Sequence, residues 1–308
     1  MSAQNLKALA RFSDSLSHAY LEHAVIEREE HSVAAFTAEG RITLPAANLS
    51  TLMLGPGTRI THAAIKILSD CGVVVVWTGS EGLALYACGQ SKTRLSRGIE
   101  LQARHWADPE LHLQVVRRMY QKRFSEHLQP GLTLAQIRGK EGVRVRDTYQ
   151  RLAHEYSVSW TGRSYERSKW EENDPINRAL SAANAALYAI ALGCLHSLGY
   201  SPSLGFVHTG KQLSFVYDIA DLVKTETSMP AAFEAVSTGV ERVESAARRI
   251  LRDRCSTVRL QDKLTQMIPK LFCSEANDTL IAMEESVSGL WDQTGVIPGG
   301  HLHGGDDS

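Results

Sequence analysis

The stretch NRALSAANAALYAIALGCLHSLGY, residues 177–200, is rich in alanine and leucine on nearly every side of the helix it implies. A helix without a polar face has to be surrounded, so 179–195 is expected to be the buried centre of a helical domain. Apolar residues recur at helical spacing around it, in LHLQVVRRMYQKRF (111–124), LTLAQIRGKEGVRVRDTYQRLAHEY (132–156) and AAFEAVSTGVERVESAARRIL (231–251). Residues 1–90 have a different texture. HAYLEHAVIE (18–27), SVAAFTA (32–38) and RITLPAANLSTLML (41–54) are short apolar stretches broken by Gly40 and Pro45. GPGT (55–58) reads as a turn, and RITHAAIKILSDCG (59–72) as one amphipathic helix ended by Gly72. VVVVW (73–77) and GLALYACG (82–89) read as strands joined through TGSEG. The expected fold class is α+β: a small N-terminal mostly-β domain (1–90) with one embedded helix, then a larger all-α C-terminal catalytic domain (99–290). SKTRLSRG (91–98) is expected to link them, and the glycine-rich end (291–308), with His301 and His303, to be disordered.

A chain of 308 residues suits about two domains, and 43% hydrophobic with 22% charged residues is the balance of a soluble globular protein. No apolar run is judged to approach the ~18–20 residues of a membrane span. The start, MSAQNLKALARFSDS, has no basic flank leading into an apolar core, so no signal peptide is expected. The five cysteines are widely spaced without a CxxC pair, which suits reduced thiols in a cytoplasmic protein and not a structural zinc site. A formal net charge of −1 argues against a generic polyanion binder. Local basic clusters, RGKEGVRVRD (138–147) and ERVESAARRILRDR (241–254), leave patch-based binding open.

The chemistry concentrates in GFVHTGKQLSFVYDIADLVK, residues 205–224. His208 stands in a glycine-flanked turn, and Ser214 can cap a helix starting at Phe215. On that helix Asp218 and Asp221 are three apart, so both carboxylates are expected on one face, repelling each other unless a cation lies between them. A solvated polar face with Lys224 as counter-charge is the competing reading. Upstream, Glu141 sits between Gly139 and Gly142 in a helix-like run, where each glycine costs ~1 kcal/mol relative to alanine and implies close approach by a backbone or a ligand. Arg138, Lys140, Arg144 and Arg146 surround it, so Glu141 is either held in local salt bridges or is a ligand set in a phosphate-binding surface. Together, Glu141, His208, Asp218 and Asp221 are an oxygen-dominated set with one imidazole, which favours Mg²⁺ or Mn²⁺. Only a fold can bring Glu141 to the other three.

These segments, with LGPGTRITHAAIKILSDCGVVVVW near the N-terminus, resemble the CRISPR-associated spacer-acquisition integrase, the larger of the two universal adaptation proteins, in its type I-E branch. That family's pattern is a glutamate in a helix, a histidine after a G-F/L-x-H turn and a D-x-x-[DE] pair, which fall on Glu141, His208, Asp218 and Asp221. The resemblance implies a homodimer, two copies of which flank one dimer of a small companion adaptation protein. It implies double-stranded and forked DNA and CRISPR repeat DNA as partners, with no membrane. The implied reaction is metal-assisted attack of a DNA 3′-hydroxyl on a phosphodiester at the repeat boundary. Glu141, His208 and Asp221 would ligate Mg²⁺ or Mn²⁺, and Asp218 would complete the acidic site or ligate directly. Arg59, Arg138, Tyr165, Trp170, Tyr188, Lys211, Lys224, Arg248 and Arg252 are the candidate DNA contacts. Two rivals stand beside this reading: a stand-alone divalent-metal nuclease, and a non-catalytic scaffold whose acids only satisfy neighbouring arginines.

Overall fold

The computed structural model describes residues 18–30, 32–79, 85–89, 96–124, 131–163, 174–273, 289–292 and 295–298. Its N-terminal region is β-rich and its C-terminal region helical. One four-stranded sheet takes β1 (Ala19–Leu21), β5 (Thr51–Leu54), β7 (Val74–Thr78) and β8 (Leu85–Gly89), in that order. The other runs β4 (Gly40–Leu44), β3 (Ser32–Thr37), β2 (Val25–Glu29), β6 (Arg59–Ile60). Arg59 and Ile60, expected as the first turn of a helix, pair in parallel with Val25 and Ile26 instead. Helix α1 (His62–Asp70) starts after Thr61, whose side chain accepts from the Ala64 amide at 3.3 Å, and Gly72 ends it at φ +80°.

The valine run at 73–76 is explained by burial on both faces. Val74 and Val76, with Met53, face the helical region, while Val73 and Val75, with Leu52 and Leu54, face α1. The β-rich region and the helices therefore share a core. Polar bonds reinforce the seam: Thr51 Oγ1 donates to the Ala189 carbonyl at 3.4 Å, and Gln261 Nε2 to Ser50 Oγ at 2.6 Å. Of the expected linker, Arg97 and Gly98 already belong to α2 (Arg97–Ala107), and 91–95 lies outside the described residues.

Helix α3 (Pro109–Phe124) is followed by α4 (Leu134–Glu155), which a Thr133–Gln136 capping box starts. Helix α5 (Pro175–Ser197) is the buried centre that its composition implies, wrapped by α7 (Ser228–Ser237) and α8 (Val243–Thr257). By length and hydropathy α5 could cross a membrane, contrary to the sequence reading; here its apolar surface packs into the protein's own core. The run at 231–251 is two helices, not one, because Gly239 turns the chain at φ +67°. Helix α9 (Leu260–Lys270) closes the bundle. The expectation of an all-α region to 290 and a disordered tail from 291 is corrected by a hairpin. Strands β9 (Gly289–Asp292) and β10 (Gly295–Pro298) pair antiparallel, with Leu290 opposite Ile297 and Trp291 opposite Val296 in the register. His301 and His303 lie outside the described residues.

Candidate active site

Residues 205–210 form a tight turn ahead of α6 (Ser214–Asp221). A Cβ on Gly205 would lie 2.2 Å from the His208 carbonyl oxygen and 2.7 Å from Ser214 Cβ, so only glycine fits. Gly210 takes φ +77°. Ser214 does not cap the helix as expected. Its hydroxyl donates to the Lys211 carbonyl at 2.8 Å and accepts from the Lys211 amide at 3.0 Å, closing the turn itself. Phe215, Val216, Ile219 and Ala220 bury the helix.

The turn exists around Asp218. Its carboxylate, 3% exposed, accepts from the amides of Phe206 (2.6 Å), Val207 (3.1 Å) and His208 (2.9 Å), and from His208 Nδ1 (2.7 Å). A carboxylate can only accept, so Nδ1 carries the proton and Nε2 is left with its lone pair. The hydrogen bond to Asp218 raises the His208 pKa above the ordinary histidine value, with burial opposing and the charges of Asp218 and Asp221 assisting. Asp218 is thus fully engaged within the chain. The two carboxylates share a face, as expected, with the His208 ring between them, but their repulsion is answered within the chain, because Asp218 is held by the amides of the loop and Asp221 by Lys224 and Arg123.

Asp221 is where the elements converge. Its Oδ1 accepts from Lys224 Nζ at 2.6 Å, and its Oδ2 lies 3.6 Å from Arg123 Nη1 and 3.9 Å from His208 Nε2. The same Arg123 Nη1 is hydrogen-bonded to Glu141 Oε1. Glu141 on α4, Arg123 on α3, and Asp221 and His208 around α6 therefore meet at one place. Lys224 also donates to Tyr188 Oη at 2.9 Å; burial alone would lower its pKa, but Asp221 and Tyr188 together more than offset this and the net shift is upward. Tyr217 stands edge-on to both His208 and Tyr188, with ring centroids 5.9 and 5.0 Å apart. Beneath Glu141, burial first and then the carboxylate push the Tyr120 hydroxyl up to about 12, so it stays protonated.

The candidate DNA contacts divide. Arg59, Arg138, Lys211 and Arg252 are exposed. Tyr188 and Lys224 are part of the site. Tyr165 and Trp170 lie outside the described residues. Arg248 is only 6% exposed and stacks over Tyr20, its guanidinium carbon 4.3 Å from the ring centroid, so it ties β1 to α8 and is not a surface contact as expected. Among the described residues no atom lies within 4 Å of a Cβ added to Gly139 or Gly142, so the close approach expected of them does not come from those residues. Arg123 and Tyr217 escape the sequence reading. Arg123 is one of several cations in RRMYQKRF, and Arg117 and Arg118 beside it donate to the carbonyls of Leu132 and Leu271. Tyr217 could have been found from its place directly before Asp218.

Two cavities meet at Arg123. One is small and contains Tyr120, His208, Asp218 and Asp221; the other, about 380 Å³, is lined by Arg144, Asp147, Thr148, Arg151 and Thr225. Among the described residues no three His, Cys, Asp or Glu side chains are already gathered as a metal cage. The donor set nevertheless fits a divalent cation. Two carboxylates from different helices already share a cation, the guanidinium, and a histidine locked by a carboxylate with Nε2 outward is the usual arrangement of a ligating imidazole.

Residues 121–272 match the family profile described as CRISPR associated protein Cas1. The chain is 50% identical to CRISPR-associated endonuclease Cas1 2 of Thermus thermophilus, covering 99% of this chain and 95% of that protein. It is 38% identical to CRISPR-associated endonuclease Cas1 of Escherichia coli, over 83% of each chain. Among solved structures it is similar to one described as a TtCas1–DNA complex, at a TM-score of 0.80 and 48% identity, covering 92% of this chain and 99% of that one.

Proposed function

We propose, from the premise that this chain belongs to the CRISPR-associated Cas1 family, that it is a metal-dependent DNA integrase and endonuclease of CRISPR adaptation. It joins 3′-hydroxyl ends of short spacer-precursor DNA to repeat boundaries by transesterification. The observation that carries the reading is convergence: Glu141 and Asp221 hold one guanidinium nitrogen, and His208 Nε2 points at the same Asp221 oxygen. Glu141, Asp221 and His208 would hold Mg²⁺ or Mn²⁺, which when bound supplies charge stabilisation at a phosphodiester and a lowered pKa for an attacking hydroxyl. The chain's own residues do the rest. Asp218 fixes the tautomer and direction of His208. Lys224, held protonated by Asp221 and steadied by Tyr188, keeps a positive charge at the site. The cavity walled by Arg123, Arg144 and Arg151 offers a place for a DNA phosphate.

The finer parts of the proposal are the type I-E branch, a homodimer, and assembly with the small companion adaptation protein on forked and repeat DNA. Five cysteines outside any disulfide suit a reducing cytoplasm. The decisive experiment offers a 3′-hydroxyl DNA fragment and supercoiled repeat DNA, with and without the companion, in Mg²⁺ or Mn²⁺. Strand-transfer products that EDTA abolishes are expected. Cuts alone, with no joined product under any condition, would leave the alternative, a stand-alone divalent-metal nuclease.

A further inference from the structure

We propose that Arg123 is a built-in placeholder for the divalent cation: its guanidinium holds Glu141 and Asp221 together until the cation displaces it towards the neighbouring basic cavity. The inference rests on the metal reading above. The side chains of Arg123, Glu141 and Asp221 are only 11%, 20% and 15% exposed, a place where two anions from different helices need a cation to stay close. Lys224 serves the other Asp221 oxygen, so the oxygen that meets Arg123 is the one that also faces His208 Nε2. A divalent ion held by Glu141, Asp221 and His208 would compete with the guanidinium for the space between the two carboxylates that Nη1 already bridges. Two cations cannot share it. Arg123 has somewhere to go, because it is the wall between the small pocket and the 380 Å³ cavity, where Asp147 offers an acid among Arg144 and Arg151. Displacement would also turn a charge that closes the site into one that meets the phosphate on the cavity side. The guanidinium thus positions the ligands in the metal-free protein and competes with the metal for them.

The test uses the full chain, freed of metal, as wild type, Arg123→Gln and Arg123→Lys. Calorimetric Mn²⁺ titration and thermal melting with and without Mn²⁺ are the readouts. With the competitor gone, Arg123→Gln should bind Mn²⁺ roughly tenfold more tightly or better, since a ligand's apparent affinity is reduced by the fraction of sites closed to it. It should melt lower than wild type without metal and recover with Mn²⁺, whereas Arg123→Lys should stay near wild type in both. If Arg123→Gln does not fold without metal, rescue by Mn²⁺ supports the placeholder and failure of rescue overturns it. Wild type binding Mn²⁺ while Arg123→Gln binds it equally or more weakly overturns the placeholder alone. If neither protein binds Mn²⁺, the metal reading itself falls, and this inference with it.

Discussion

At the scale of single residues, the two aspartates of α6 differ in what their loss does. Asp218 accepts four hydrogen bonds in the interior. Removing it leaves three backbone amides and an imidazole without their acceptor; the buried Phe206 amide so stranded costs about 1–3 kcal/mol, and the half-buried donors of Val207 and His208 add to it. Asp218→Ala should therefore be strongly destabilising, by roughly 3 kcal/mol or more, seen as a lower urea midpoint, and inactive because His208 loses its orientation. Melting unchanged from wild type would sink this account of the turn. Glu141→Gln is the contrast. It keeps shape and an oxygen for Arg123, so the protein should stay folded while Mn²⁺-dependent strand transfer is lost. Retained strand transfer in Glu141→Gln would remove Glu141 from the ligand set.

At the scale of elements, α4 carries two glycines with open space over them. No described residue fills that space, so alanine at Gly139 or Gly142 should stabilise the free protein by about 1 kcal/mol each, the helix-propensity difference. Urea unfolding reads the increase, and a lower stability would show that the helix tolerates no Cβ there. Strand β1 begins beside a pH-dependent contact. Burial, then the charges of Arg252 and Arg248, hold the His18 pKa down to about 4. The folded state resists the proton that the unfolded chain accepts near pH 6.5, so stability present above that pH is lost as pH falls towards 4. The loss is about 3 kcal/mol if the full interval counts, at about 1.4 kcal/mol per pKa unit. His18→Asn should flatten the slope between pH 6.5 and 4 in denaturation curves; an unchanged slope would assign the acid sensitivity to other groups.

At the scale of the whole molecule, β7 gives one face to each of two cores. Loss of the helical packing exposes the sheet, so calorimetry should show one main unfolding transition; two well-separated transitions would mean that the regions are energetically independent. The arginines of α8 behave differently towards DNA. Arg252→Ala should lower the salt dependence of duplex binding by up to ~0.9 in slope for each phosphate that the side chain neutralises. Arg248→Ala should leave the slope alone and lower stability, because its guanidinium packs on Tyr20. Much of the architecture is legible in the chain. An all-round apolar helix has to be central, a four-valine run reads as a buried strand, and short apolar stretches broken by Gly40 and Pro45 read as strands. Glu141, His208, Asp218 and Asp221 stand out in the chain too, since acids and a histidine in apolar surroundings need a reason, and the fold brings them to one place. What the chain alone left undetermined is which acid does what. Asp218 and Asp221 occupy equivalent positions in a helical repeat, and only the path of the 205–210 turn commits one to backbone amides and leaves the other for a cation. Arg123 is one cation among several in its segment, and only the fold, which brings the end of α3 to Glu141 of α4 and Asp221 of α6, places it between two carboxylates. Periodicity encodes which face of an element is buried; which charges meet there depends on how the elements are packed together.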